Sequence, residues 1–159
     1  MGARSEALAK KFEAKAQEAT QVIESLSDAD WKKVTEAEKW PVGVVAHHVA
    51  GSHAGIGGIV KLLADGKPGP NINMDVIHQG NAQHAKEFAN CTKAETLALH
   101  TKNAADTAAM LRGLDDAHLD RSSTVLAGAP AMSANQIADG LLCSHIDDHL
   151  GSIKKTVGR

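Results

Sequence analysis

The chain has 159 residues and a formal net charge of −2, with acidic and basic residues interspersed, so one domain over 1–159 is expected. This charge pattern excludes a basic face for nucleic acid, and the absence of a long apolar run argues against a signal peptide or membrane span, so a cytoplasmic protein is expected. With two Trp, two Phe and no Tyr, the core must consist mainly of Ala, Leu, Val and Ile, which favours helices over a β-sandwich.

The first half of the chain predicts two amphipathic helices. Helix 1 is predicted over 5–26, because apolar residues recur there at every third or fourth position. This apolar face consists of Leu8, Phe12, Ala16, Ala19, Ile23 and Leu26. A polar connection leads to Pro41, which suits a first helical position because its missing N–H has no intrahelical partner there. Helix 2 is therefore predicted over 41–64.

The second half predicts two further helical regions. The segment 65–73 contains two Gly and two Pro and is interpreted as a crossover loop. A helical region over 74–111 follows, broken near Cys91 because Thr92 and Glu95 have the spacing of a capping box. After a connection over 113–132, interpreted as a cover, a capping box of Ser133 and Gln136 begins helix 4, predicted over 133–157. The sequence predicts an all-α four-helix bundle with up-down-down-up order and a long crossover from helix 2 to helix 3.

Two histidines of helix 4 indicate a metal site. His145 and His149 are spaced i,i+4 and project from one side of a helix, although Ile146 occupies the position of the general base in the HExxH motif of zinc peptidases. At about 100° per residue, both lie in the middle of the apolar face. That face is formed by Ala134, Ala138, Leu141, Leu142, Ile146 and Ile153. Buried imidazoles need polar partners, which either a shared metal or hydrogen bonds within the core can supply. The pair by itself favours neither interpretation.

The position of His48 in helix 2 favours a metal site over hydrogen bonds within the core. It lies near the centre of the apolar face of that helix, whereas His47 and His53 point away from the centre. Ser52 and Gly55 follow on the same face and leave room for a ligand. His48 is about seven residues from the start of helix 2 and His149 about eight from the end of helix 4, so the two rings lie at one height if these helices are antiparallel. We therefore predict a metal site of His48, His145 and His149.

Other polar residues receive mostly structural interpretations. Asp148 flanks the core side of helix 4, where a carboxylate can orient a ligand ring, but a solvated flank is favoured. His100 lies at the edge of the core face of helix 3. A structural role is favoured for it over a role in lining the metal site. Cys91 and Cys143 have no CxxC spacing and are expected to be ordinary reduced thiols. Surface positions are expected for His78, His84 and His118.

Two segments resemble the DinB/YfiT-like superfamily, and especially its branch of mycothiol-dependent maleylpyruvate isomerases. Residues 40–50, WPVGVVAHHVA, resemble the family segment W-x-V-G-x-x-x-x-H-L-A, and 149–153, HLGSI, resemble H-x-G-Q-I. The resemblance implies a metal-binding four-helix bundle with three ligands at His48, His145 and His149, used together with low-molecular-weight thiols. Ser152 replaces the frequent Gln, and no Arg of this chain matches a site for a thiol-cofactor carboxylate.

Three functions are compatible with such a metal site. The favoured one is a metal-dependent S-transferase or isomerase that presents a small thiol to a small electrophile, with zinc or nickel as the expected divalent ion. A non-catalytic stress protein that binds a metal or small ligand ranks second, and a metal-dependent hydrolase, which lacks an identifiable Glu base, ranks third. The expected partners are a thiol and an electrophile, with no nucleic acid and no membrane, and a homodimer is an open alternative.

Overall fold

The computed structural model describes residues 2–159, and helices account for most of them. The α-helices in chain order are α1 Ala3–Ser25, α2 Asp28–Lys32, α3 Val42–Ala64, α4 Met74–Glu87, α5 Lys93–Arg112, α6 Asp116–Leu119, α7 Ala134–Gln136 and α8 Cys143–Val157. A π-helical segment, Ile137–Leu142, joins α7 to α8, so that 134–157 form one C-terminal helix. Two short antiparallel strands, β1 Ser122–Ser123 and β2 Met132–Ser133, pair across the intervening loop.

Four long helices, α1, α3, α5 and the C-terminal helix, form a bundle, which confirms the predicted fold class. Contacts between side chains and backbone groups show which of these helices are parallel and which are antiparallel. The α1–α5 pairs are antiparallel, as in Arg112–Glu13 and Lys93–Leu26, and the pairs of α1 with the C-terminal helix are parallel, as in Lys11–Asp139 and Lys154–Glu18. The contacts Cys91–Gly43 and Thr107–His53 make α3 and α5 parallel. The resulting order is up, down, down, up.

The core lies between the apolar faces of these helices. All six residues predicted for the apolar face of helix 1 are buried, and Phe12 and Ile23 are completely so. The α3 and C-terminal helices contribute the aliphatic residues Val45, Val49 and Ile146. Burial of this aliphatic surface supplies the main stabilisation of the bundle.

Helix boundaries agree closely with the capping signals. The break near Cys91 is present, and α5 begins after Thr92, whose side chain accepts a hydrogen bond from the backbone N–H of Glu95 at 3.1 Å. Ser133 caps the C-terminal helix in the same way, with 3.0 Å to the N–H of Gln136. Pro41 is the N-cap of α3 and not its first residue, a shift of one position.

The π-helical segment departs from the prediction of one regular helix over 133–157. Each turn of a π-helix holds more residues than an α-helical turn, so residues before and after it do not share the angular positions of a regular helix. Leu141, which lies in this segment and was predicted to be in the core face, is 38% exposed. Ile146 and Ile153, which follow the segment, are fully buried as predicted.

No helix within residues 2–159 is long and apolar enough to cross a membrane.

Candidate metal centre

Three imidazoles converge where α3 packs against α8. His48 comes from α3 and His145 and His149 come from α8, and one nitrogen of each ring lies within 4.8 Å of the other two. The Nε2 atoms of His48 and His145 are 3.0 Å apart, and those of His145 and His149 are 3.2 Å apart. The structure thus brings together the three residues that the sequence predicts as ligands. The predicted orientation of helix 2 is wrong, however, because His47 and His53 are buried in α3, whereas His48, expected at the centre of the apolar face, is only partly buried beside the cavity.

These separations match a shared ion. Two nitrogens at about 2.1 Å from one metal lie about 3.4 Å apart in tetrahedral geometry and about 3.0 Å apart in octahedral geometry. The observed distances of 3.0 and 3.2 Å fall at and between these values. The separations of these two nitrogen pairs therefore fit a tetrahedral or an octahedral divalent ion.

Glu38 sets the tautomer of His149. Its Oε1 accepts a hydrogen bond from Nδ1 of His149 at 2.8 Å, and its Oε2 accepts one from the Ser152 hydroxyl at 2.6 Å. Because the proton of the neutral ring is held at Nδ1, the lone pair of Nε2 points into the cluster. A carboxylate behind a histidine in this way is the usual outer support of a metal ligand. This protonation pattern is the one that a metal requires of His149.

The Glu38 carboxylate is stabilised in its charged form. Burial alone would raise the pKa of Glu38, but hydrogen bonds from Ser152, Thr35 and His149 outweigh it and hold the pKa below its ordinary value. A tight turn places this residue: the backbone N–H of Thr35 donates to the carbonyl of Trp40 at 2.9 Å, and Lys39 adopts a left-handed φ of 62°. The turn directs Glu38 toward α8.

Burial keeps two of the three rings neutral. It lowers the pKa of His48 to about 3, with further lowering from the charges of His145 and His149. It also lowers the pKa of His145 to about 4, again with help from His149. Both rings are therefore neutral near neutral pH, and binding a metal there requires no release of a proton from either one.

A cavity of about 440 Å³ opens beside the cluster. Its apolar walls come from α3, α4, the C-terminal helix, the loop before α3, the crossover and the connection between α6 and α7. They consist of Trp40, Ile56, Ile59, Ile72, Ile77, Val125, Leu126 and Leu141. The Trp40 ring meets the His48 ring edge to face at 5.4 Å. Ser52 lines the cavity as expected, whereas Gly55 is exposed and does not line it.

The connection over 113–132 covers this cavity, as predicted from its length. Its residue Val125 accepts a backbone hydrogen bond from the N–H of Ile72 in the crossover at 2.9 Å, and Ile72 accepts one from Ala127, also at 2.9 Å. Val125 is only 3% exposed. The two irregular segments thus support each other and close one side of the site.

Several residues lie elsewhere than the sequence indicates. His84 was expected at the surface but is half-buried, with Nε2 at 2.8 Å from Nδ1 of His47 and its ring 5.6 Å from that of His48. His100 does not line the cavity. It is 1% exposed and pairs with the buried His53 at 2.9 Å, because α1, α3 and α5 meet at that point. His78 is exposed as predicted, whereas His118 is partly buried.

The remaining polar candidates stay outside the cluster. Asp148 is exposed and makes no contact with a ligand ring, in line with the favoured interpretation, and Glu38 has the supporting role instead. Sequence patterns carried no signal for Glu38, because it lies in an irregular loop without periodicity. Cys91 and Cys143 are free thiols whose pKa values are raised by burial, and neither belongs to the cluster.

A family model described as the DinB superfamily matches residues 11–153. The chain belongs to this superfamily. No curated protein matches the DinB chain described here.

Two solved structures share the fold of this DinB chain. A mutant of the mycothiol-dependent maleylpyruvate isomerase superposes with a TM-score of 0.75 at 12% identity, over 94% of this chain and 60% of the isomerase. This chain therefore spans less than two thirds of that protein. YfiT from Bacillus subtilis, described as a probable metal-dependent hydrolase with an unusual four-helix bundle topology, superposes with a TM-score of 0.73 at 19% identity, over 97% and 87% of the two chains.

Proposed function

We propose that 1–159 act as a single DinB domain that binds one divalent ion, zinc or nickel, through His48, His145 and His149. We further propose that the site activates a low-molecular-weight thiol for S-transfer to, or isomerisation of, a small electrophile. The observation that carries the proposal is the convergence of three imidazole nitrogens at the wall of an apolar cavity. Three protein ligands leave coordination positions for a small molecule, as in catalytic metal sites.

The bound ion would supply a Lewis acid that lowers the pKa of a coordinated thiol toward neutrality. The residues of the chain position and insulate this site. Glu38 holds the proton of His149 at Nδ1 and fixes the orientation of that ring. Trp40 packs against His48, and the aliphatic walls exclude water from the reacting groups.

Charge balance supports a thiol. A divalent ion on three neutral imidazoles carries two positive charges, and the adjacent Glu38 carboxylate offsets one of them. One singly charged anion, such as a thiolate, would neutralise the site inside a largely apolar cavity, which reduces the cost of burying charge. The isomerase with the same fold is named as mycothiol-dependent, which is consistent with thiol chemistry on this scaffold.

The hydrolase alternative receives less support, although YfiT is described as a probable hydrolase. A hydrolase needs a base to take a proton from the attacking water. Glu38 is the one carboxylate among the described residues that line the cavity, and both of its oxygens accept hydrogen bonds from His149 and Ser152. It is therefore occupied in orienting a ligand ring.

Metal analysis followed by a spectroscopic titration tests the proposal. The purified chain should contain one equivalent of a divalent ion, and the His48→Ala variant should not. The cobalt-substituted protein is then titrated with cysteine, 2-mercaptoethanol and glutathione. A sulfur-to-cobalt charge-transfer band with at least one of them, and consumption of that thiol in the presence of an electrophile, is the expected result. Stoichiometric metal without any spectral change or turnover would favour the non-catalytic metal-binding module.

A further inference from the structure

The polar groups of the cavity differ in whether they are already paired. Among the described lining residues, the uncharged polar side chains other than the three histidines are Trp40, Ser52 and Asn81. The Ser52 hydroxyl donates to the carbonyl of His48 at 2.7 Å. The Asn81 side-chain amide makes no hydrogen bond to any described residue. This half-buried amide therefore has no partner among the described residues, and from a largely aliphatic wall it can hydrogen-bond to a ligand.

The same wall lacks a cation. No Lys or Arg is present among the described residues that line the cavity, and the one carboxylate, Glu38, has both oxygens engaged. The remaining positive charge of the proposed ion would already be neutralised by a bound hydroxide or thiolate. A carboxylate or phosphate on the organic ligand would therefore lose its hydration without gaining a cationic partner from the wall. An ammonium group would find only the Glu38 carboxylate, whose two oxygens already accept hydrogen bonds and whose charge already offsets one charge of the proposed ion. Either charge is disfavoured by the walls.

The aliphatic walls remain partly open, which suits a ligand of matching character. Ile56, Ile59 and Ile77 are all only half-buried although isoleucine is among the residues most often fully buried. Leu141 at the rim of the cavity is 38% exposed. A cavity of about 440 Å³ lies within the usual range for small-molecule sites, and an apolar ligand would remove this surface from water.

We infer that the cavity binds a neutral, apolar organic substrate whose one hydrogen-bonding group, a carbonyl or similar acceptor, meets the Asn81 amide. The inference rests on the proposed function in taking the cavity beside the histidine cluster as the substrate site. It excludes dicarboxylates and phosphorylated metabolites as substrates. Asn81 is a positioning residue for the substrate, and the apolar walls select against charge.

Binding of matched probes to the zinc-loaded, ¹⁵N-labelled full chain tests this class. Acetophenone is compared with 4-acetylbenzenesulfonate and with trimethyl(4-acetylphenyl)ammonium, and sulfonate is chosen because it is a weak metal ligand. Acetophenone should bind at least about tenfold more tightly than either ion and should shift the Trp40 indole and Asn81 amide resonances. Equal or tighter binding of an ion, or binding of acetophenone without these shifts, would overturn the inference.

Two variants locate the selectivity. Leu141→Lys should reduce the preference for acetophenone over the sulfonate by about tenfold, whereas Val76→Lys, an exposed position of α4 outside the cavity, should leave it unchanged. Asn81→Leu should weaken acetophenone by about fivefold relative to ethylbenzene, which has no acceptor. If the ratio of the affinities for acetophenone and ethylbenzene were unchanged, Asn81 would not bind the acceptor group of the substrate.

These measurements separate the substrate class from the proposed thiol chemistry, because binding of the probes requires neither thiol nor turnover. Selective binding of acetophenone without consumption of any thiol would refute the transferase or isomerase and leave the substrate class standing. If the thiol were consumed as fast with charged electrophiles as with neutral ones, the substrate class would be refuted and the transferase or isomerase would stand.

Discussion

Glu38 and His149 lie 111 residues apart in sequence, and their side chains form a hydrogen bond of 2.8 Å between Oε1 and Nδ1. The bond joins the irregular loop before α3 to the helix that carries two of the three histidines. Loss of this hydrogen bond would affect the orientation of His149 but would remove none of the three converging nitrogens.

Replacing Glu38 should weaken the metal site. Glu38→Ala removes the acceptor that holds the His149 proton at Nδ1, and we expect zinc affinity to fall by about 10- to 100-fold. The measurement is competition with a chromophoric chelator. Glu36→Ala is the matched control, because Glu36 lies in the same loop but is exposed and pairs with Lys155. Equal affinities for the wild type and Glu38→Ala would show that this carboxylate does not support the ion.

A histidine scan should distinguish the ligands from their neighbours. His48→Ala, His145→Ala and His149→Ala should each lose stoichiometric zinc, because each removes one converging nitrogen. His47→Ala should retain it, since the His47 ring stacks on Phe88 at 4.0 Å and pairs with His84. Elemental analysis of the purified variants provides the measurement. Retention of zinc by His48→Ala together with its loss from His47→Ala would refute the three-histidine site.

Chelation should destabilise the protein without unfolding it. The aliphatic core does not depend on the metal, and ligand binding stabilises a fold by about 2.7 kcal/mol at a hundredfold excess over Kd. Removing the ion should lower Tm by roughly 5–10 °C for a chain of this size. Thermal melts followed by circular dichroism, with and without a chelator, give the result. Loss of the helical spectrum at 25 °C after chelation contradicts the prediction.

The two thiols should be dispensable for metal binding. Cys91 and Cys143 lie outside the histidine cluster, and burial raises the pKa of both thiols and so disfavours the thiolate form. The double variant Cys91→Ser, Cys143→Ala should keep one equivalent of zinc. Alanine is chosen at 143 because a buried serine hydroxyl would need a new partner. A zinc content well below one equivalent in the folded variant would exclude a site built on histidines alone.

Buried histidines should make the metal-free protein sensitive to acid, and the His53–His100 pair should contribute to this sensitivity in addition to His48 and His145. Burial lowers the pKa of His53 from 6.5 to about 3, and burial also lowers that of His100. Between about pH 6.5 and pH 3 the unfolded state therefore binds protons that the folded state does not. The contribution of these neutral rings to the free energy of unfolding is fully present above this range. Within the range it falls with decreasing pH, by about 1.4 kcal/mol per pH unit for each such proton.

Substitution of His53 tests the origin of this slope. His53→Gln keeps a donor for the Nδ1 atom of His100 but removes one titrating ring, so its free energy of unfolding should depend less steeply on pH below 6.5. His78→Gln changes an exposed ring and should follow the wild type. Urea denaturation at a series of pH values provides the measurement. Parallel curves for wild type and His53→Gln would assign the acid sensitivity to other groups.

Local patterns in the sequence were sufficient for the bundle, and they named three histidines that converge in the structure. The apolar pattern of helix 2 nevertheless misjudged burial, because His47 and His53 are buried and His48 is only partly so. The apolar period of helix 1 identified a face that is buried throughout, and the capping boxes at Thr92 and Ser133 marked two helix starts. His145 and His149 share one side because their spacing is close to one helical turn. Each of these features depends on residues within a few positions of one another, and backbone geometry relates such positions directly.

Only the tertiary structure decided the surroundings of these histidines. Glu38 reaches His149 through a loop without a periodic signal, and His84 is covered because α4 folds back against α3. Leu141, in the π-helical segment, lines the rim of the cavity and not the core as expected. These features arise from contacts between segments far apart in the chain. Local periodicity records which face of a helix is apolar, but it contains no information about which distant loop will pack against that face.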